Sequence, residues 1–221
     1  QDREWVHRSG VGRKGAPGPD VEHEGGNASG AEVVGGAEDI FARADMVIKV
    51  KEPQAAECKM LREGQVLFTY LHLAPDPEQT KDLVDSGAIC IAYETVTDGR
   101  GGLPLLAPMS QVAGRMSIQA GAHCLERAQG GAGVLLAGVP GVRPAKVVIV
   151  GGGVVGENAA YMAVGMGADV TILDRNVDTM RSLVVRFGQS VKTLYSTSLT
   201  LEEEMLAADL VIGAVLLPGA E

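Results

Sequence analysis

The sequence has few of the features that mark secreted or membrane-bound proteins. Its three cysteines, Cys58, Cys90 and Cys124, are odd in number and form no C-x-x-C pair. This pattern excludes a disulfide framework and a zinc site of the usual spacing. No apolar run approaches the ~20 residues that span a bilayer, and the first residues lack the apolar core of a signal peptide. We therefore expect a soluble chain with core thiols in a reducing cytoplasm.

An excess of positive charge is also absent. Lys and Arg number 19 against 28 Asp and Glu, which gives a net charge of −9 at pH 7. Nucleic acids and anionic membranes require a basic face, so neither is expected as a partner. No pair among the histidines has metal-ligand spacing and no G-x-S-x-G motif occurs. We therefore predict neither a metal site nor a serine nucleophile.

Glycine is abundant instead, and one group of glycines directly follows a predicted strand. Lys146–Val150 is a Val- and Ile-rich run typical of a strand buried in a parallel sheet. Gly151, Gly153 and Gly156 follow it with the spacing G-x-G-x-x-G. In a dinucleotide site the first glycine makes the turn, the second admits a pyrophosphate and the third lets helix and strand pack closely. A predicted helix at 154–166 would direct free N–H groups at the phosphate.

An acidic residue follows the motif at the position whose side chain distinguishes NAD from NADP. Asp174 ends a second predicted strand, 168–173, and lies 23 positions after Gly151. A carboxylate there accepts hydrogen bonds from the adenosine ribose and repels a 2′-phosphate, which favours NAD over NADP. A glycine-rich turn in an ordinary α/β domain is the alternative. The strand, helix, second strand and terminal acid together favour the dinucleotide site.

Helix and strand signals alternate along the rest of the chain, which predicts two parallel α/β layers. The predicted helices are 37–44, 78–85, 177–187 and 201–208, and the predicted strands are 46–50, 66–70, 88–93, 191–195 and 210–216. A longer helix at 110–127, capped by Ser110, would connect the two layers. Its apolar residues recur every four positions, at Val112, Met116, Ala120 and Cys124.

These elements predict a Rossmann-type NAD-binding domain and a second parallel α/β substrate domain. The expected divisions are an irregular head at 1–30, a partial substrate domain at 31–109, the connector helix at 110–127 and the NAD-binding domain at 128–221. A Rossmann sheet usually has six strands, and about four are predicted here. Both domains are therefore expected to be incomplete.

Two residues of the first half could carry acid–base chemistry. Lys51 and His72 each follow a predicted parallel strand, so both are expected at one edge of the sheet. A hydride enzyme acting on an oxo or amino acid needs a cation for the carboxylate and a group that moves a proton. From the residues alone, a structural or merely exposed role is favoured for each, because single lysines and histidines are common.

Six runs of the sequence resemble the alanine dehydrogenase family. The resemblance extends over about residues 29–221, and its most specific runs are KVKEP from Lys49, FTYLHLA from Phe68, IAYETV from Ile91, LPLLAPMSQVAGRMSIQAGA from Leu103, QGGAGVLLAGVPGV from Gln129 and ADLVIGAVLLPGA from Ala208. The resemblance implies NAD-dependent oxidative deamination of L-alanine to pyruvate and ammonia, with reductive amination as the reverse. It also implies a homo-hexamer for the intact parent.

The resemblance assigns roles to individual residues. It makes Lys51 the substrate-binding lysine and His72 the acid–base histidine. The positions that it places along the NAD site, beside the three glycines, are Ser110, Val154, Val155, Asp174, Ser196, Val215 and Leu216.

Three departures from the family pattern bear on activity. Residues 1–30 do not reproduce the strand and substrate-binding arginine with which the family begins, and Thr179 replaces a basic residue. The resemblance also implies a catalytic aspartate at a position past residue 221. We therefore expect this chain, truncated at both ends, to be a poor or inactive catalyst. The alternatives are the NAD-binding part of a proton-translocating transhydrogenase and a non-catalytic NAD-binding protein.

Overall fold

The computed structural model describes residues 32–216. The chain forms two compact units, and the boundary between them in the sequence lies between Leu105 and Leu106. The predicted head at 1–30 lies outside the described residues. No helix within 32–216 is long and apolar enough to cross a membrane.

The first unit is a small parallel α/β layer. Its elements are α1 (Ala37–Arg43), β1 (Met46–Ile48), α2 (Ala55–Cys58), β2 (Val66–Thr69), α3 (Pro77–Ser86), β3 (Ile89–Ala92) and a 3₁₀ turn at Tyr93–Thr95. The strands pair in the order β1-β2-β3, all parallel. Helix α3 begins where the Asp76 side chain accepts a hydrogen bond from the Gln79 N–H, and it ends at Gly87, whose φ of 67° suits glycine.

The second unit has the strand order of half a Rossmann fold. Its elements are α4 (Ala107–Cys124), a 3₁₀ turn at Arg127–Gln129, β4 (Lys146–Val150), α5 (Val154–Gly165), β5 (Asp169–Asp174), α6 (Val177–Phe187), a 3₁₀ turn at Gly188–Ser190, β6 (Val191–Tyr195), α7 (Ser198–Leu206) and β7 (Leu210–Gly213). The four strands are parallel in the order β6-β5-β4-β7. The chain therefore adds strands on one side of β4 and then crosses to its other side.

The predicted fold class, α/β with parallel sheets, is confirmed, and most predicted elements are present. The strand Lys146–Val150, the helix Val177–Phe187 and the strand Val191–Tyr195 have the predicted bounds. The other predicted elements shift by one to three residues at an end. The one-turn helix α2 was not predicted, because Ala55–Cys58 is too short to show a helical period.

Helix α4 differs from its prediction in its start and in the face that it buries. It begins at Ala107 with Pro108 in its first turn, and the Ser110 N–H bonds to the Leu106 carbonyl, so Ser110 is not the cap. The predicted stripe of Val112 and Met116 is exposed. The buried face carries Gly114, Ile118 and Gly121 instead. Small residues bury here because α4 lies very close to α5, where a Cβ on Gly114 would stand 2.2 Å from the Val155 carbonyl oxygen.

Each unit has its own hydrophobic core. In the first unit Leu67 on β2 is fully buried among Phe41, Val47 and Leu83. In the second unit Ile149 and Ile172 lie opposite each other on β4 and β5 and are fully buried. The prediction of core thiols is correct for Cys58, which is buried, while Cys90 is half-buried. It is wrong for Cys124, which is exposed because it lies on the open side of α4.

Candidate functional site

The residues predicted to line the NAD site lie at one edge of the second unit's sheet. Gly151 directly follows β4, Asp174 ends β5 and Ser196 directly follows β6. Val215 and Leu216 follow β7, and both are exposed. All four strands are parallel, so these residues share the carboxyl edge of the sheet. Strand order reverses between β4 and β7, and ligands of open α/β sheets bind at such a switch point.

The three motif glycines meet three different local demands. Gly151 has a φ of 102°, a conformation that favours glycine, and a Cβ there would lie 2.6 Å from the Ala214 carbonyl oxygen. A Cβ on Gly156 would lie 1.8 Å from the Gly151 carbonyl oxygen, so any side chain would force α5 away from β4. A Cβ on Gly153 would meet nothing within 4 Å. The loop is therefore packed against backbone atoms at Gly151 and Gly156, whereas the space beside Gly153 is empty.

The open side of the loop coincides with the start of helix α5. Gly153 is the N-cap of α5, and no side chain caps its first-turn N–H groups. Val154 is exposed and Val155 is half-buried in that first turn. A helix N-terminus with free N–H groups stabilises an anion through its backbone dipoles. The glycine loop and the first turn of α5 thus have the shape and polarity that a pyrophosphate requires.

Asp174 is held next to this loop by backbone hydrogen bonds. Its Oδ2 accepts from the Gly152 N–H at 2.6 Å, and its Oδ1 accepts from the Asn176 N–H at 2.7 Å. Its backbone carbonyl accepts from the Ser196 N–H at 2.9 Å, which joins the ends of β5 and β6. The carboxylate is therefore oriented before any ligand arrives. The Thr179 methyl group also packs beside Gly152.

Ser110 lies in the first turns of α4, one helical turn before Gly114. Gly114 is the residue that makes the close approach of α4 to Val155 possible. This contact places the start of α4 near the start of α5 within the second unit.

Lys51 and His72 lie after neighbouring strands of the first unit, as their sequence positions suggested. The Lys51 carbonyl accepts a hydrogen bond from the Thr69 hydroxyl at 2.9 Å, which ties the chain after β1 to the end of β2. The Lys51 side chain is exposed. His72 follows β2 by three residues, and its ring pairs through Nδ1 with Oε1 of Glu52, the residue next to Lys51.

The backbone at His72 is strained and firmly held. Within residues 32–216, His72 is the one non-glycine residue with a positive φ, at 45°. This left-handed conformation costs about 1 to 3 kcal/mol in a non-glycine residue. Glu94 compensates, because Oε1 of its carboxylate accepts from the His72 N–H at 2.7 Å and from the Leu71 N–H at 3.1 Å. Strain maintained by specific partners is typical of functional positions.

His72 also borders a cavity of about 450 Å³ that belongs to the first unit. Its polar lining comes from Glu52, Gln54, His72, Asp76, Glu78, Gln79 and Asp82. Burial by itself raises the pKa of the Glu52 carboxyl. Its own backbone N–H, the His72 ring and the charge of Lys51 outweigh burial, so the net effect is a lowered pKa. Glu52 is therefore ionised at neutral pH.

Sequence reasoning did not assign roles to Glu52 and Glu94. Both stand in runs that carry the family resemblance, KVKEP and IAYETV. Glutamates are common and neither run has a recognised local spacing, so the contacts with His72 become visible only in the folded unit.

The fold and the glycine loop define the second unit as a dinucleotide-binding α/β domain of the Rossmann type. Comparison with known proteins identifies the family. The N-terminal domain of alanine dehydrogenase/PNT matches residues 19–113, and the C-terminal domain matches residues 117–221. The chain belongs to the alanine dehydrogenase/PNT family, and the resemblance found in its sequence is confirmed.

Two relatives named alanine dehydrogenase have about twice the length of the matched segment. Alanine dehydrogenase of Halomonas elongata is 58% identical over 193 residues, which cover 87% of this chain and 52% of that protein. Alanine dehydrogenase of Bacillus subtilis is 54% identical over 204 residues, which cover 92% and 53%. The chain thus spans about half the length of the curated relatives that it matches.

Two solved structures share this fold at different degrees of similarity. An L-alanine dehydrogenase is 55% identical with a TM-score of 0.77, and the match covers 88% of this chain and 54% of that one. A transhydrogenase from Sinorhizobium meliloti is 25% identical with a TM-score of 0.67, and the match covers 88% and 56%. Both measures place this chain nearer to the dehydrogenase.

Proposed function

We propose that this chain carries the coenzyme-binding and acid–base parts of an NAD-dependent alanine dehydrogenase. The reaction is the reversible oxidative deamination of L-alanine to pyruvate and ammonia. The observation that supports it most is 58% identity, over 87% of this chain, to a protein named alanine dehydrogenase. The constrained histidine at the end of β2 and the glycine loop after β4 supply the two kinds of site that this reaction needs.

NAD is the coenzyme that suits the second unit. The pyrophosphate would lie against Gly151, Gly153 and the first turn of α5, and the ribose hydroxyls would bond to Asp174. Val154, Val155, Ser196, Val215, Leu216 and Ser110 would line the rest of the site. When bound, NAD supplies the chemistry of hydride acceptance from the substrate carbon.

Lys51 and His72 would act on the substrate. The Lys51 ammonium group would hold the carboxylate of alanine or pyruvate, and its exposure leaves it free to do so. In deamination, Nε2 of neutral His72 would accept a proton from the water that adds to the substrate carbon, so an O–H bond breaks and an N–H bond forms. Amination returns that proton along the same path.

The proposed cellular location and oligomeric state rest on the family resemblance. We infer that the protein acts in the cytoplasm and that the intact enzyme assembles as a homo-hexamer. Neither nucleic acid nor membrane is a proposed partner, in keeping with the net charge of −9.

The second candidate function is that of the NAD-binding part of a proton-translocating transhydrogenase. A transhydrogenase structure shares the fold at 25% identity, and such a protein would bind NAD without acting on alanine. A non-catalytic NAD-binding protein is the third candidate. Both predict coenzyme binding without reductive amination of pyruvate.

Coenzyme binding is tested on the chain itself. NADH is titrated into the purified protein, with NADPH as control, and coenzyme fluorescence is followed with and without pyruvate. We expect saturable binding of NADH in preference to NADPH and a further change with pyruvate. The Asp174→Ala variant is expected to lose most of the preference while keeping its fold. Equal binding of both coenzymes by the unaltered chain would contradict the assignment of Asp174.

Turnover is tested in a full-length context, because the chain spans about half of its relatives. Residues 32–216 replace the matching segment of the Halomonas elongata alanine dehydrogenase, and NADH consumption is measured with pyruvate and ammonium. Turnover that depends on both substrates supports the dehydrogenase. NADH binding without any turnover in the chimera would favour the second or third candidate.

A further inference from the structure

We propose that Glu52 and Glu94 are positioning residues that hold His72 with its proton on Nδ1 and leave Nε2 free for proton exchange. The inference rests on the proposed function of His72 as the acid–base group. It extends that function, because it names the atom that reacts, the carboxylate that selects it and the carboxylate that holds the backbone of His72.

Glu52 fixes the ring. Its Oε1 pairs with His72 Nδ1, and an ionised carboxylate can only accept a hydrogen bond. Nδ1 must therefore carry the proton. The hydrogen bond made by one ring nitrogen sets the state of the other, so Nε2 of the neutral ring has a free lone pair. Within the described residues of this unit, 32–105, Nε2 has no hydrogen-bond partner.

Neighbouring groups fix the plane of the ring. The Tyr70 ring lies nearly parallel to the His72 ring, with centroids 5.9 Å apart and an interplanar angle of 17°. The Tyr70 hydroxyl is itself anchored by donating to the Leu105 carbonyl. The His72 side chain remains 40% exposed, so the ring is held while one side stays accessible.

Glu94 fixes the backbone from which the ring projects. Its carboxylate accepts from the N–H groups of Leu71 and His72, which are successive residues, and the second of them has the left-handed backbone. Glu94 follows β3, whereas Glu52 follows β1 and His72 follows β2. The ends of three parallel strands therefore meet at His72. One carboxylate contacts its ring, and the other contacts its backbone.

Several carboxylates lie around the His72 ring. Glu52 lies in contact with it, and the carboxylates of Asp76, Glu78 and Asp82 line the same cavity. Lys51 is the neighbouring cation, and its charge acts on Glu52. When Nε2 accepts a proton, Glu52 balances the imidazolium charge directly. Glu52 thus acts as the carboxylate of a carboxylate–histidine pair, which stabilises the imidazolium without itself being protonated.

The tautomer is measured by long-range ¹H–¹⁵N NMR on the labelled 221-residue chain, at a pH where the ring is neutral. Pyrrole-type and pyridine-type nitrogens have well-separated ¹⁵N shifts. We expect His72 to show a protonated Nδ1 and a pyridine-type Nε2. The Glu52→Ala variant should change to the Nε2–H form that free histidine prefers. Glu52→Gln should keep Nδ1–H, because the amide oxygen still accepts.

His123 is the matched control within the same chain. Its Nδ1 lies 3.7 Å from Glu126 Oε2, and both side chains are more than half exposed. That separation exceeds hydrogen-bond length, so Glu126→Gln should not change the tautomer at either histidine. For Glu94, the Glu94→Ala variant should speed hydrogen exchange at the His72 and Leu71 amides at least about tenfold.

The functional readout uses the Halomonas chimera. Glu52→Gln should lower kcat at least about tenfold with a smaller change in KM, because the neutral amide orients the ring but cannot balance the imidazolium. A protonated Nε2 in the unaltered chain would overturn the inference whatever the activity. An inactive parent chimera with the expected tautomer would instead refute the proposed function and leave the positioning of His72 intact.

Discussion

Replacing Gly156 by alanine is expected to separate helix α5 from strand β4. The new Cβ would lie 1.8 Å from the Gly151 carbonyl oxygen and 3.2 Å from Ile149 Cγ2, whereas ordinary contact begins at 3.4 Å. The first of these contacts is to backbone, so no side-chain rotation relieves it. The helix must move by more than 1 Å, or the glycine turn must open.

The energetic cost follows from two opposing terms. Overpacking against rigid atoms costs about 3 kcal/mol, the upper part of its usual range. Alanine in a helix returns about 1 kcal/mol relative to glycine. The net loss of about 2 kcal/mol corresponds to a roughly 30-fold increase in the population of the opened state.

The assay is hydrogen exchange followed by mass spectrometry, because a chain of two units has no single unfolding transition. Peptides covering β4 and α5 should exchange about 30-fold faster in Gly156→Ala, while peptides from the first unit serve as an internal reference. The matched control is Gly165→Ala on the same helix, where a Cβ would meet nothing within 4 Å. That variant should gain up to about 1 kcal/mol in stability, so its peptides should exchange slightly more slowly.

Gly153→Ala separates folding from binding at the same loop. Gly153 has an extended backbone and open space at its Cβ, so stability should change by less than about 0.5 kcal/mol. Its NADH affinity should fall at least about tenfold, because the methyl group would occupy the space that the pyrophosphate needs. Equal exchange in Gly156→Ala and Gly165→Ala would refute the packing argument, and unchanged NADH affinity in Gly153→Ala would refute the binding argument.

Two further predictions concern the first unit and the thiols. Gln65 is 1% exposed and donates to the backbone carbonyls of Phe41 and Ala44 near the end of α1. Arg62 also donates to the Ala44 carbonyl, so Gln65→Leu should remove the side-chain donor of the Phe41 carbonyl and cost about 1 to 3 kcal/mol, measured by hydrogen exchange of that unit. Burial raises the pKa of the Cys58 and Cys90 thiols, so their thiolate fraction at pH 8 is reduced. Iodoacetamide should therefore modify the exposed Cys124 first, as peptide mass spectrometry would show, and faster labelling of Cys58 would contradict its burial.

Local pattern was sufficient for the elements that carry their own signals. The strand Lys146–Val150, the three motif glycines and Asp174 have fixed spacings, because the turn, the helix start and the ribose contact are short-range demands of one βαβ unit. The alternation of strands and helices predicted both parallel sheets for the same reason. Bounds such as Val177–Phe187 were predictable where a cap, here Asn176, coincided with an amphipathic period.

The buried face of α4 was not predictable from its own sequence. Val112 and Met116 have the helical spacing of an apolar stripe, yet Gly114, Ile118 and Gly121 are the buried residues. Which face a helix buries depends on its partner, and the short distance between α4 and α5 requires small residues at the contact. Hydrophobic periodicity alone contains no information about that distance.

The sequence by itself determined the class of fold, the coenzyme loop, the acidic residue beside it and the family. Tertiary structure decided how His72 is held. Glu52, His72 and Glu94 follow three different strands and are separated by 20 and 22 residues along the chain. Parallel pairing brings the three strand ends to one edge, and only there do the carboxylates reach the ring and the strained backbone. Contacts between residues so far apart depend on sheet order and register, which no local pattern in this sequence specifies.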